Sequence, residues 1–558
     1  MLDLRIDNAL LYDGTGAEPG GHSLGVKDGR IAAIGRFEGE AAQRIDASGL
    51  ALMPGIIDTH THYDAQITWD GFANPSPALG VTTVIMGNCG FTIAPCRPPD
   101  RDLTMRNLTH VEGMSLDALR AGIDWGFESF PEYLDMIERK GVGPNVACFV
   151  GHSGVRTFVM RQDAAKRAAT ADEVARMRRI VLEAMEAGAC GFSTTRSYQH
   201  NGEAGIPMPS RLADDQEMLA LSGALREGRK GLLMMTKASD TPVPWIESLA
   251  AAADRPYLVA ALLHSNLTPE ATFEDLQHIA AARNRGRQMY GAVSACPLNF
   301  EFTLHEPYVF EGLAAWQPLM KMSEAEVKKA LAAPAFRARL KEELSKRARR
   351  MFTGEWDKAF VAQAADPGNA GMEGQSIEAL ARRAGAHPVD FLLDLALSED
   401  LDTLFTATLL NSDESAVGRM LKDPNAIVSL SDAGAHLTFL CDAGFGLHLL
   451  GYWARDKKLM PLASAVRKLT SEPARLFGIR GRGTLEVGNW ADLLLFDPGS
   501  VGRGASKRVY DLPAGASRID SPALGVHGVW VNGRLVADRD GLRKDAPRAG
   551  RVLREFSV

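Results

Sequence analysis

The 558-residue sequence predicts an α/β fold, in which an elaborated (β/α)8 barrel is inserted into a β-rich module made from the two chain ends. Three observations carry this. The ends look alike: "SLGVKDGRIAAIG" and "GVWVNGRLVAD" each flank an Asp-Gly or Asn-Gly pair with short apolar runs, the signal of a two-residue hairpin. The middle alternates apolar runs with helical stretches, as a parallel βα fold does. Between about residues 300 and 400 that alternation gives way to an irregular, helical pattern that reads as an insertion.

The elements follow in order. Ile56 to Thr61 in "IIDTHTHYD" reads as the first barrel strand. "GVTTVIMGNCG" is a β-branched strand ending at Cys89, and "NVACFVGHSG" is another ending at His152. Thr170, with Glu173 three residues on, is a capping box opening a helix whose Val174, Met177, Val181 and Met185 share one face. "GACGFSTT", "GLLMMTK", "YLVAALLHSN" and, much later, "AIVSLSDAG" supply further strands. "ADLLLFDP" is a strand-like run leading into the C-terminal part of the module. Nine Lys or Arg fall between Lys328 and Arg350, but Glu342 and Glu343 interrupt them and the formal charge is −7, so the run reads as a solvated helical surface.

That charge gives no general attraction to nucleic acid or to an anionic membrane, so neither partner is expected. The balance of 46% hydrophobic and 23% charged residues is that of an ordinary globular protein. "MLDLRIDNALLYDG" lacks a basic segment followed by an apolar core. The six cysteines (Cys89, Cys96, Cys148, Cys190, Cys296, Cys441) make no close pair, and a cytoplasmic protein with reduced thiols is expected.

The chemistry starts from His60 and His62. Side chains two apart on a strand point the same way, so both imidazoles emerge side by side at a strand end. Cys89, His264 and Asp432 also lie where predicted strands end, and that face is where barrel enzymes converge their catalytic loops. Each alone has an ordinary use: Cys89 as a small buried side chain, His264 as a structural hydrogen-bonding group, Asp432 as a helix cap. Together they offer the imidazole, thiolate and carboxylate ligands of a zinc-type site, where a cation activates water and polarises a carbonyl. Asp432 would then carry the proton as general acid/base.

"PGIIDTHTHYD" resembles the strand-one signature of the amidohydrolase superfamily. "GVTTVIMGNCGFTIAP", "GHSGVR", "GACGFSTTRSY" and "SDAGAHL" resemble its N-acyl-D-amino-acid deacylase (D-aminoacylase) family over essentially the full length. The resemblance implies a (β/α)8 TIM-like barrel (55–480) with a small β-sandwich domain built from both termini (1–54 and 481–558) and the helical insertion at about 300–400. It implies a metal-dependent hydrolase of an amide C–N bond in a small-molecule substrate, an N-acyl-D-amino acid or similar N-acyl compound. One or two zinc ions would be held by His60, His62, Cys89, His264 and Asp432, with His152 and Tyr198 near the substrate.

Two departures stand out. Where the family carries a strand-five histidine, "LLMMTKASD" has Lys237, which either becomes an oxygen ligand by carbamylation or is a charged group beside a mononuclear centre. On the substrate side, "LHSN" offers Asn266 in place of a lysine, "VSACPLNF" replaces a tyrosine-bearing strand, and Arg196 or Arg156 could receive a carboxylate instead. A cyclic amide, carbamate or urea as substrate, or a catalytically silent binding relative, are the alternative expectations.

Overall fold

The structure is a computed structural model and describes residues 1–346, 348, 350–436 and 442–558; Cys441, Arg347 and Arg349 of the features above lie outside that set. Its centre is a parallel sheet of eight strands in sequence order: β1 (Ile56–Asp58), β2 (Val81–Met86), β3 (Asn145–Gly151), β4 (Gly191–Thr195), β5 (Leu232–Thr236), β6 (Tyr257–Leu262), β7 (Met289–Val293) and β8 (Ala426–Val428). Nearly every residue in them is buried, which is why they read as continuous apolar runs rather than alternating ones. The sheet closes beyond its strand ends: Thr61 bridges Ala433 in parallel, and the His62 N–H donates to the Ala433 carbonyl at 2.7 Å.

Two strands stop earlier than their sequences suggest. β1 ends at Asp58, because Ser431 Oγ donates to the Asp58 carboxylate at 2.6 Å and reaches the His60 carbonyl at 3.1 Å, drawing the chain toward the loop after β8. β2 ends at Met86, because Gly87 and Cys89 take positive φ values of 82° and 56° and turn the chain across the barrel mouth. The helix α1 (Arg101–Val111) follows that turn. α2 (Ala171–Ala187) carries the expected Thr170–Glu173 capping box and buries Met177, Val181 and Met185. α3 (Ala271–Asn284) packs against β7.

Both chain ends share one nine-stranded sheet, joined where Ala51–Pro54 pairs antiparallel with Leu493–Phe496. Asp28-Gly29 and Asn532-Gly533 turn its hairpins with positive φ at both positions, the conformation those residue pairs favour. The segment after β7 is more than helical. It contains a three-stranded antiparallel sheet (Leu298–Phe302, Ala359–Gln363, Leu404–Leu410) and its own core of Phe302, Phe310, Trp316, Phe336, Leu393 and Phe405. Short strands of mixed polarity inside a helical stretch leave too weak a period to read from sequence. No helix among the described residues is long and apolar enough to cross a membrane.

Candidate metal centre

His60 and His62 stand just past β1 with Nε2 atoms turned toward Asp432, whose Oδ1 lies 3.2 Å from His60 Nε2 and 3.7 Å from His62 Nε2. Cys89 brings its Sγ to 3.5 Å from His60 Nε2. One ligand atom each from His60, His62 and Cys89 lie within 4.8 Å of one another. The two imidazoles and the thiol are buried, whereas the Asp432 side chain is 25% exposed and is the member of the cluster open to the barrel mouth.

The loop after β8 makes this possible. Leu430, Asp432 and His436 all take positive φ (64°, 47° and 53°), and Gly434 takes +91°. A Cβ on Gly434 would sit 2.7 Å from the His62 carbonyl carbon and 2.8 Å from the Tyr63 nitrogen. Glycine therefore lets this loop lie directly on the backbone that carries His62.

The electrostatics follow from burial and from the crowd of charges. Burial opposes ionisation of Asp432, but the His60 and His62 imidazoles outweigh it and hold the carboxyl well below the usual carboxylate range. Burial pulls the His60 imidazole down to about 4 and pushes the Cys89 thiol up. His62 goes the other way: burial disfavours its charge, but Glu112 and Asp432 raise it well above the ordinary histidine value. Beneath the cluster, burial lifts the carboxyls of Asp58 and Asp64 to about 7.

The remaining expected residues divide. His264 is buried past β6, its backbone tied to Asn411 in both directions, and its Nδ1 has no hydrogen-bond partner among the described residues. Its ring packs by Phe273. Lys237 does not join the cluster: its ammonium contacts both carboxylate oxygens of Asp275 on α3, at 2.6 and 2.5 Å. The residue before it, Thr236, places Oγ1 3.1 Å from Cys89 Sγ. Side chains alternate along a strand, so the register that turns Thr236 inward turns Lys237 outward.

His152 lies beneath the strand ends. It is fully buried, with Nδ1 2.8 Å from Thr194 Oγ1 and Nε2 2.8 Å from Glu217, so both ring nitrogens have protein partners. Arg156 is likewise fully buried and paired with the other Glu217 oxygen. Arg196 follows β4, between Asp215 (3.6 Å) and Asp240 (3.5 Å) and over the Trp245 ring. Tyr198 is 54% exposed with the Arg211 guanidinium 5.6 Å above its ring. Asn266 is committed to Glu355 and Ser412, within reach of the insertion.

Four residues near the cluster had no place in the sequence reading: Glu112, Thr236, His200 and His436. His200 stacks edge-on against Phe91 at 4.9 Å, and Phe91 lies 6.5 Å from the His62 ring. His436 donates its backbone N–H to the Glu112 carbonyl. Two imidazoles, a thiol and a carboxylate at these separations are a donor set suited to zinc, so the residues present fit such an ion.

Residues 43–537 match the model of the amidohydrolase family. The chain is 30% identical to a D-aminoacylase of Alcaligenes xylosoxydans xylosoxydans, over 99% of this chain and 97% of the other. Among solved structures, a D-aminoacylase described as defining a novel subset of amidohydrolases superposes with a TM-score of 0.69 at 25% identity, covering all of both chains. An N-acyl-D-glutamate deacylase from Bordetella bronchiseptica, complexed with zinc and a phosphonate mimic of the tetrahedral intermediate, gives 0.67 at 25% identity over 99% of this chain and 100% of its own.

Proposed function

The chain belongs to the amidohydrolase family, and from that premise we propose that it is a metal-dependent hydrolase that splits the amide C–N bond of an N-acyl-D-amino acid or a similar N-acyl compound. The observation that carries the reading is the meeting of His60 Nε2, His62 Nε2, Cys89 Sγ and Asp432 Oδ1 at the mouth of the barrel. Of the relatives named above, one is by its name a D-aminoacylase and another a deacylase of N-acyl-D-glutamate.

His60, His62 and Cys89 would hold a divalent ion, with Asp432 at its edge; His264, buried past β6 with Nδ1 unpartnered among the described residues, is the further ligand that the family resemblance implies. Zinc bound there supplies Lewis acidity, polarising the carbonyl and lowering the pKa of water. Asp432 performs the proton transfer. Its Oδ1 lies beside the Nε2 atoms of both histidines, so its carboxylate is placed to accept a proton from the attacking water. It is also the exposed member of the cluster, so it can hand that proton to the leaving nitrogen. Tyr198 and Arg196 lie past the end of β4, where the substrate's outer groups would pass.

The test is release of free amine from a panel of N-acetyl-D-amino acids by zinc-loaded protein. Asp432→Asn keeps its metal and loses about 10²–10⁴-fold in kcat, the usual worth of a positioned acid/base. A near-normal rate in that variant refutes the role.

A further inference from the structure

Glu112 is a buried carboxylate that the reaction above does not use. It caps the C-terminal end of α1, where the helix dipole disfavours a negative charge, so its placement there is not a device for stabilising the helix. It is 2% exposed, and its Oε1 lies 3.0 Å from His62 Nδ1, in an approach that departs from a straight hydrogen-bond line. Both atoms are buried and neither has another hydrogen-bond partner among the described residues. The same residue's carbonyl accepts the N–H of His436, in the loop that carries Asp432. Glu112 thus touches the first strand's histidine with its side chain and the eighth strand's loop with its backbone.

We propose that Glu112 is the positioning residue for the metal centre. Its carboxylate takes the Nδ1–H of His62, which fixes the ring's tautomer and rotation and leaves Nε2 to face Cys89, His60 and Asp432. This rests on the reading of those residues as ligands. A carboxylate behind a ligating imidazole raises its basicity and fixes its direction, and removing such a partner costs about 10–100-fold in metal affinity. Glu112 touches no reacting atom in this arrangement. Its side chain acts on the site through His62, and its backbone contact to His436 is kept in both variants below.

The experiment compares wild type, Glu112→Gln and Glu112→Ala. Zinc affinity is measured by competition with a chromophoric chelator. The low-field Nδ1 proton of His62 is followed by NMR in the zinc-loaded protein, and melting of the metal-free forms reports folding. Glu112→Ala is expected to bind zinc about 10–100-fold more weakly and to lose the His62 Nδ1 resonance, with Glu112→Gln, which keeps an acceptor oxygen, recovering part of both. Wild-type zinc affinity and an unchanged His62 resonance in Glu112→Ala overturn the proposal while leaving the hydrolase reading intact. Equal loss of metal-free stability and affinity in both variants, with the resonance retained, assigns Glu112 a merely structural role and also overturns it. Absence of zinc binding by the wild type overturns the hydrolase reading, and the positioning role falls with it.

Discussion

Replacing Gly434 by alanine puts one methyl group where the loop after β8 meets the backbone of His62. The added Cβ would stand 2.7 Å from the His62 carbonyl carbon and 2.8 Å from both the His62 oxygen and the Tyr63 nitrogen. All three are backbone atoms in a closed barrel, so no side chain can swing aside. The φ of +91° adds its own cost, since an L-residue in left-handed conformation is disfavoured by about 1–2 kcal/mol. Overpacking of a well-filled interior costs about 1–3 kcal/mol more. If the loop holds, the variant is about 2–5 kcal/mol less stable by urea unfolding. If it yields, the strain is relieved by moving Asp432 away from His60 and His62, and a shift of about 1 Å at such a site can cost about 10²-fold in rate. Urea unfolding and steady-state turnover on the same preparation separate the two outcomes. A Gly434→Ala protein with wild-type stability and wild-type turnover would refute the packing of this loop against His62.

Two further expectations concern the scaffold. Thr170→Ala removes the side chain that accepts the Glu173 N–H at the start of α2, and destabilises the protein by about 1 kcal/mol, read as a lower urea midpoint with unchanged slope. Burial opposes the charge of Asp7, but Ser23, Arg5 and Arg44 together lower its folded pKa to about 2 from an ordinary 3.8. A depressed carboxyl contributes stability above its unfolded pKa and loses it as pH falls through the folded value. Asp7→Asn should therefore flatten the acid dependence of stability between about pH 4 and 2, as measured by denaturant unfolding across that range, and an unchanged acid slope would remove Asp7 from the account.

How much of this was legible in the chain differs from residue to residue. The paired histidines, Cys89 and Asp432 were legible because each sits within a few residues of a strand whose apolar run is continuous. Lys237 illustrates the limit of that reasoning. The strand was found, but its face depends on register, and the one-residue difference between Thr236 and Lys237 decides which reaches Cys89 and which reaches Asp275. His152 lay at a strand end like the others, yet Glu217 and Thr194, distant in sequence, close over it. Glu112 left no signal, since it ends a surface helix and approaches His62 only through the tertiary fold. The three-stranded sheet of the insertion was hidden because its strands are separated by helical segments and pair out of sequence order.

In the proposed site His60, His62, Cys89 and Asp432 make one metal centre and Lys237, held by Asp275, stays outside it. Elemental analysis of protein purified without chelator and reconstituted with zinc tests it most directly, with Lys237→Met and Cys89→Ser measured beside the wild type. One tightly held ion per chain is expected, unchanged in Lys237→Met and lost or weakened in Cys89→Ser. No metal in the reconstituted wild type, or a second ion that disappears with Lys237→Met, would contradict it.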